Sequence, residues 1–260
     1  MSIDTATLPG LTLVQLNAGA ALQARQDRKY VVTEALLNDV MGELAPRLAV
    51  LDLDGERGCT YETTYYDTPD LLCYRHHAQD VRRRFKARTR TYVGSGLVRL
   101  ELKVKGAGGH TVKHAMDGAA PWLDGRGRAF LRSALDRSYG TAYAPGVVPA
   151  LDAVLRMTCH RTTLAVTTEP VRVTADTGLE LGGWRLRPGL VLLEVKSAGP
   201  RTDVDRALVR RGARPTSVSK YIAALGLTAL RHDRPRKHQA RLLDRWFVPR
   251  GDRVVAGAHG

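Results

Sequence analysis

The sequence is poor in cysteine, in aromatic residues and in acidic charge, and it contains no long apolar run. Its three cysteines, Cys59, Cys73 and Cys159, are odd in number and far apart. They outline no disulfide framework, and a reducing, cytoplasmic setting is expected. No segment approaches the ~20 apolar residues that span a bilayer. The N-terminal "MSIDTATLPGLTLVQLNAGAAL" has neither a basic start nor a sustained apolar stretch, so it does not read as a secretory signal. Aromatic residues make up 6% of the chain. A groove for single-stranded nucleic acid interleaves aromatic rings with its cations, and this scarcity argues against one.

What is abundant is positive charge. Lys and Arg number 40 against 26 acids, a net charge of +14 on 260 residues. That balance implies a polyanionic partner without choosing among nucleic acid, anionic membrane and phosphate-rich small molecules. The length fits one large domain or two small ones, and 43% hydrophobic content supports a sizeable core.

Three regions emerge: an unpatterned arm over 1–22, a patterned domain over 23–230, and a basic tail over 231–260 without sustained periodicity. "TEALLNDVMGELAPRL" predicts a helix with Thr33 as N-cap, Leu36, Leu37, Val40 and Leu44 on one stripe, and Pro46 as its stop. From Tyr61 to about Lys113 the period becomes two, as in "LVRLELKVK", where Val98, Leu100, Leu102 and Val104 alternate with Arg99, Glu101, Lys103 and Lys105. Residues 114–150 read as an insertion holding one helix. Strands resume in "VLRMTCHRTTLAV", "PVRVTAD" and "GLVLLEVKS", then a helix runs from Thr202 to Gly212, and "SVSKYIAALGL" supplies a last helical turn or two.

The sign of the charge on these strands is unusual. In "VRRRFKARTRTY", Arg82, Arg84, Lys86, Arg88 and Arg90 would share one strand face. A solvated face mixes signs, because like charges opposite one another destabilise pairing. Here the cations, with Arg161, Arg172 and Lys196, far outnumber Glu101, Asp176 and Glu194. Taken alone, the stretch fits a solvated basic strand or a nucleic-acid patch. Taken with the other strands, it suggests an antiparallel barrel with a charged lumen and an outer wall covered by helices, where weak screening would favour a chain of phosphates.

Several residues carry two readings. Glu194 is either an ion-pair partner of Lys196 or a neighbouring Arg, or a metal ligand; Glu101 is either a partner of Lys103 or Arg90, or a second ligand. Asp27 and Asp176 read as residues that orient basic side chains, and Asp67 as a turn residue. Cys73, His76 and His77 match no paired zinc spacing. Gly106 to His110 lacks the Gly-Lys-Ser/Thr ending of a phosphate loop and reads as a hairpin turn.

The motifs together resemble a known family. "RQDRKY", with Arg25, Asp27, Lys29 and Tyr30, is similar to the R-x-E-x-K-Y opening of the VTC domain, a branch of the triphosphate tunnel metalloenzymes that also include the CYTH proteins. "YYDT", "KARTRTY", "LELKVK", the Lys of "TVKH", "HR", "VRVTAD", "LLEVK" and "SVSKY" follow in family order over residues 25–225. The resemblance implies an α+β fold with an eight-stranded antiparallel tunnel that binds ATP, triphosphate or polyphosphate with Mn²⁺ or Mg²⁺, and no nucleic acid.

Carried over by motif, Lys86, Arg88, Arg90, Lys103, Arg161 and Arg172 would be the catalytic cations. Lys29, Lys113, Lys196 and Lys220 would bind substrate phosphate, Glu194 would be the principal metal ligand and Glu101 its helper. The implied activity is that of a polyphosphate polymerase-like phosphotransferase, with a non-catalytic polyphosphate or nucleotide binder and an inorganic triphosphatase as alternatives. Arg25 and Asp27 stand where the CYTH branch has two Glu, which removes a carboxylate from the metal region. Cys159 stands in place of a Tyr, and Thr216 and Ser217 fill a region where the polymerases carry a further Lys.

Overall fold

The computed structural model describes residues 3–19, 26–106, 111–199, 201–228 and 243–251. Arg25, most of the Gly106 to His110 stretch and the tail apart from residues 243–251 lie outside the described residues. In chain order the elements are β1 (Gly10–Leu11), α1 (Leu13–Gly19), β2 (Gln26–Thr33), α2 (Glu34–Leu44), β3 (Leu48–Leu51), β4 (Cys59–Asp67) and α3 (Leu72–Ala78). There follow β5 (Phe85–Tyr92), β6 (Val98–Lys105), β7 (Thr111–Asp117), α4 (Gly125–Tyr139), α5 (Ala144–Val147), β8 (Asp152–Val166) and β9 (Val171–Leu181). The chain continues through β10 (Trp184–Leu186), β11 (Leu190–Ser197), α6 (Asp203–Arg210), α7 (Lys220–Thr228) and β12 (Phe247–Pro249).

Eight antiparallel strands pair in the order β2-β11-β9-β8-β4-β5-β6-β7. The expected α+β fold with eight antiparallel strands is therefore present. The ring is not closed by a ladder, since no pairing joins β7 to β2 among the described residues. The free edge of β2 is met instead by Thr216, whose N–H donates to the Lys29 carbonyl at 2.7 Å.

Alternation decides which face turns outward. Tyr30, Val32, Val171, Val173, Ala175, Val191, Leu193 and Val195 form one buried cluster with Leu37, Val40, Met41 and Leu44 of α2 and Val204, Ala207 and Leu208 of α6. On the far half, Phe85, Ala87, Leu100, Leu102 and Val104 are buried with Cys73 and Tyr74 of α3 and Leu131, Ala134 and Leu135 of α4. Helices thus cover the apolar face, and the ionic side chains at the intervening positions are left on the inner one. The α2 stripe is as its spacing predicts, with the Leu36 N–H donating to Thr33 Oγ1 at 3.1 Å and Pro46 in a closing 3₁₀ turn. No helix of the described residues is long and apolar enough to cross a membrane.

Four details differ from the sequence reading. β5 begins at Phe85, so Arg82 and Arg84 precede the strand and the in-strand row is Lys86, Arg88 and Arg90. Asp80 adopts a positive φ of 57°, and its carboxylate holds Arg84 at 2.7 Å in the turn before the strand. The segment read as the start of an insertion is β7, an exposed edge strand whose mixed "TVKHAMD" composition conceals its period. The arm is ordered over part of its length: β1 pairs in parallel with β3, Leu8 and Leu16 are buried, and the Arg57 guanidinium donates to the carbonyls of Thr5 at 2.5 Å and Leu8 at 3.1 Å. The tail returns as β12 against β10, with Leu243 and Phe247 buried. These segments are too short to show a period, and tertiary contacts order them.

Asp205 ties the outer layer to the sheet. Fully buried, it accepts from Tyr30 Oη at 2.7 Å, Arg28 Nε at 2.9 Å and the Thr202 N–H at 2.9 Å, and it completes the capping box of α6. Burial acts against its ionised form, but the bonds from Arg28, Thr202 and Tyr30 outweigh this and hold the carboxyl below its ordinary value. Asp205→Ala is expected to destabilise the fold by about 3–5 kcal/mol in urea unfolding, since it removes the buried carboxylate that pairs with Arg28, leaves the Tyr30 hydroxyl without its acceptor and breaks the side-chain half of the α6 capping box. The depressed value also sets a sign: the contribution of Asp205 is present above the unfolded carboxyl's pKa and is lost as pH falls through the folded one.

Candidate functional site

The inner face is laid out by strand register. Lys86 of β5 stands opposite Lys103 of β6, and Lys103 opposite Lys113 of β7. Arg88 lies opposite Glu101, and Arg90 opposite Thr63 of β4. On the other wall Arg161 of β8 faces Asp176 of β9, Arg172 faces Lys196 of β11, and Lys196 faces Asp27 of β2. Glu194 lies between Thr174 and Lys29. Lys220 opens α7 and reaches the same face. All ten basic residues and both glutamates singled out from the sequence are brought to one concave surface.

Three carboxylates divide these cations among them. Glu101, 1% exposed, takes Arg88 Nε at 2.6 Å, Lys113 Nζ on its other oxygen, and Arg90 more loosely at 3.9 Å. Asp176 binds Arg161 bidentately, Nε at 2.6 Å and Nη2 at 2.8 Å, and also Lys220 Nζ. Glu194 holds Lys196 Nζ at 2.9 Å and Lys29 Nζ at 3.5 Å, and at 21% side-chain exposure it is the most accessible of the three. Burial acts against ionisation at each carboxyl, but the adjoining cations dominate and hold all three below the ordinary carboxylate range.

The cations show the complementary effect. Burial, then the charges of Lys29, Arg88 and Arg84, push Lys86 down to about 7. Lys103 is pushed down to about 7, first by the Arg88 charge and then by burial, against the pull of Glu194 across the lumen. Lys113 and Lys196 are lowered chiefly by burial. The inner face is by itself an unfavourable place for the positive charge it holds.

Residues that the sequence reading did not single out complete the surface. The Tyr61 ring lies between Arg90 at 5.0 Å and Arg161 at 5.4 Å, and Arg88 lies over the Tyr65 ring at 5.8 Å, its Nη1 donating to the Tyr65 hydroxyl at 3.1 Å. Three buried donors on this face, Arg90 Nε, Thr63 Oγ1 and Thr174 Oγ1, have no hydrogen-bond partner among the described residues. Buried donors are ordinarily satisfied. Their positions, alternating with charged neighbours in "YETTYY" and "VRVTAD", were the available signal. At one rim, Arg172 Nη2 donates to the Leu16 carbonyl at 3.2 Å and to Asn17 Oδ1 at 3.1 Å, so α1 of the arm overhangs the lumen there.

Two other sequence readings change in weight. Asp67 is more than a turn residue. Completely buried, it accepts from the N–H groups of Thr68, Cys73 and Tyr74 at 2.7–3.0 Å and from Tyr221 Oη, joining the start of α3 to α7. His77 hydrogen bonds through Nδ1 to the Cys73 carbonyl at 2.8 Å, and burial pushes its pKa down to about 3, which gives it a packing role in α3.

Fold and site together define a β-tunnel protein whose helices are outside and whose lumen is basic. The chain belongs to the VTC domain family, whose profile matches residues 24–228. Among solved structures, it is similar to the PH1819 protein of Pyrococcus horikoshii, at 15% identity and a TM-score of 0.44, over 78% of this chain and 98% of that one. It is also similar to HpAC1 of Hippeastrum, named as a candidate adenylyl cyclase with a dominant triphosphatase activity, at 13% identity and a TM-score of 0.48, over 77% of this chain and 94% of that one. No curated protein matches the chain.

The lowered lysines make anion binding a protonation event. Above pH 7 Lys86 and Lys103 shed protons in the empty protein, while phosphate oxygens favour the ammonium form. Tripolyphosphate binding should therefore take up protons between about pH 7 and 9 and weaken as pH rises through that window. Calorimetry in buffers of different ionisation enthalpy reads this uptake directly, and identical enthalpies in all buffers would refute it. For the same reason Lys86→Met should raise the stability of the empty fold by about 1 kcal/mol or more while weakening the anion.

Proposed function

We propose that this protein binds the triphosphate of ATP, or a polyphosphate chain, in its lumen together with a divalent cation, and transfers the terminal phosphoryl to phosphate or to a polyphosphate end. The observation that carries this reading is the set of three unpaired buried donors, Arg90 Nε, Thr63 Oγ1 and Thr174 Oγ1, among ten inner-face cations in a VTC-family chain. A bound polyanion supplies the acceptors that these donors lack and relieves the repulsion among the cations.

The donor set fits a cation shared with the substrate. No group of three Asp, Glu, His or Cys side chains that could hold a metal comes together among the described residues. Mg²⁺ and Mn²⁺ commonly take one or two carboxylates and complete their shell with phosphate oxygens and water. Glu194, with its partial exposure, is the residue that would hold the ion; Glu101 would join only by exchanging Lys113 for it. When bound, the ion would neutralise charge on the phosphates.

The chain's own groups supply the remainder. Phosphoryl transfer asks chiefly for in-line positioning and for cations fixed around the equatorial and leaving oxygens. Glu101 and Tyr65 fix Arg88, and Asp176 fixes Arg161, so neither guanidinium must reorganise during the reaction. Lys29 and Lys196 pair with Glu194 and stand within reach of the same phosphate oxygens that residue would help to neutralise by holding the ion.

The deciding assay is incubation with ATP and Mn²⁺ followed by a polyphosphate stain on a gel. Metal-dependent polymer is expected, and Glu194→Gln should lower turnover about 100-fold or more with the fold retained. Arg88→Ala should weaken tripolyphosphate binding about 10- to 100-fold, the contribution of a charge-assisted contact. Tight binding without turnover would favour a receptor, the reading motivated by Thr216 and Ser217 standing where the polymerases carry a lysine. Orthophosphate release without chain growth would favour a triphosphatase.

A further inference from the structure

We infer that Tyr61 is a positioning residue of the basic inner face: its ring holds the Arg90 guanidinium without taking up any of that group's N–H donors, which stay free for a phosphate oxygen. The inference rests on the polyanion reading of the site and concerns how one of its cations is kept ready.

The inner-face arginines of β5 and β8 are fixed in two different ways. Arg88 donates to Glu101 at 2.6 Å and to the Tyr65 hydroxyl at 3.1 Å. Asp176 grips Arg161 bidentately. Those bonds set the orientation of both groups, and they also use up donors and offset charge. Arg90 has no such grip. Its one carboxylate contact among the described residues is Glu101 at 3.9 Å, beyond hydrogen-bond length, and its buried Nε has no partner there. Its side chain is nevertheless only 11% exposed, and burial, then the Arg88 charge, lower its pKa. Hydrogen bonds do not explain why this guanidinium keeps its place.

The Tyr61 ring does. Arg90 Cζ lies over it at 5.0 Å, within the range of a cation–π contact. The ring is itself braced from both neighbouring strands. Tyr92 of β5 packs edge-on at 4.9 Å with an interplanar angle of 67°, and Arg161 of β8 lies over the ring at 5.4 Å. Because Asp176 fixes Arg161, the order of support runs from Asp176 through Arg161 and Tyr61 to Arg90. Burial pushes the Tyr61 hydroxyl up to about 12, so the phenol stays neutral through the physiological range.

A ring and a carboxylate hold a guanidinium at different cost. A carboxylate accepts its N–H groups and cancels its charge, whereas the negative face of an aromatic ring attracts the charge and accepts none of the in-plane donors. Thr63 stands opposite Arg90 in the β4–β5 register, and its buried Oγ1 also lacks a partner among the described residues. Unspent donors from adjacent strands thus share one part of the inner face, and an oxyanion is the ligand that serves both.

The test measures tripolyphosphate affinity of the full chain by calorimetry, with thermal unfolding as the check on folding. Tyr61→Leu, which keeps bulk and loses the ring face, should weaken binding about 10-fold, as expected for loss of a desolvated cation–π contact. Tyr61→Phe should restore the affinity. In an Arg90→Met background, Tyr61→Leu should cost little further, because the residue acts through that arginine. The Arg90 Nε–H resonance, assigned by its loss in Arg90→Met, gives a reading on the unaltered protein. It should move downfield as tripolyphosphate supplies the missing acceptor.

Four results overturn the inference and leave the polyanion reading standing: wild-type affinity in Tyr61→Leu, a Tyr61→Phe variant as weak as Tyr61→Leu, a full loss that persists without Arg90, or an Arg90 resonance that tripolyphosphate does not move. Failure of the wild-type chain to bind tripolyphosphate overturns both.

Discussion

The concentration of like charge on the concave face of one sheet is the constraint on which the rest of the structure depends. At an effective dielectric of 20, two cations 4 Å apart repel by about 4 kcal/mol. The fold contains this repulsion chiefly with three inner carboxylates, each shared between two or more cations: Glu101 with Arg88 and Lys113, Asp176 with Arg161 and Lys220, Glu194 with Lys29 and Lys196. The compensation is incomplete. Lys86 and Lys103 remain pushed down to about 7, and Arg90 keeps an unpaired buried nitrogen. The inner face thus carries more positive charge than these three carboxylates neutralise.

The outer layers make the tolerance possible. Two dry clusters, one under α2 and α6 and the other under α3 and α4, bury the apolar faces of the strands from β2 through β6 in the sheet order, leaving the edge strand β7 largely exposed. That burial is what stabilises the sheet in spite of its inner charges. Asp205 and Asp67 add buried polar anchors at the two sides, the first to β2 and α6, the second to α3 and α7. The helices therefore do more than cover the strands. They hold a charged surface rigidly enough that Arg88 and Arg161 keep fixed orientations.

Much of this was legible in the chain. Alternation in "KARTRTY", "LELKVK" and "LLEVK" assigns Lys86, Arg88, Arg90, Lys103, Glu194 and Lys196 to one face, because a strand has a period of two whatever surrounds it. The stripe of α2 and the Thr202 cap of α6 were equally local. Thr63, Thr174 and Tyr61 were not legible as site residues, since nothing in their own neighbourhood distinguishes a lumen hydroxyl from a solvated one. The edge strand β7, the arm and β12 lacked a period long enough to register, and contacts from distant residues order them.

The amino-acid sequence by itself determined the class of fold, the basic character of the inner face and the membership of the VTC family, because strand periodicity and the order of charged motifs are written locally. Tertiary structure alone decided which carboxylate pairs with which cation, which donors stay unsatisfied, and that Lys220 of α7 reaches Asp176 while α1 meets Arg172 at the rim. Those outcomes depend on strand neighbours drawn from distant parts of the chain, as with β2 beside β11 and β4 beside β8. Electrostatic coupling over such distances follows the spatial path between charges, and no local pattern of residues encodes that path.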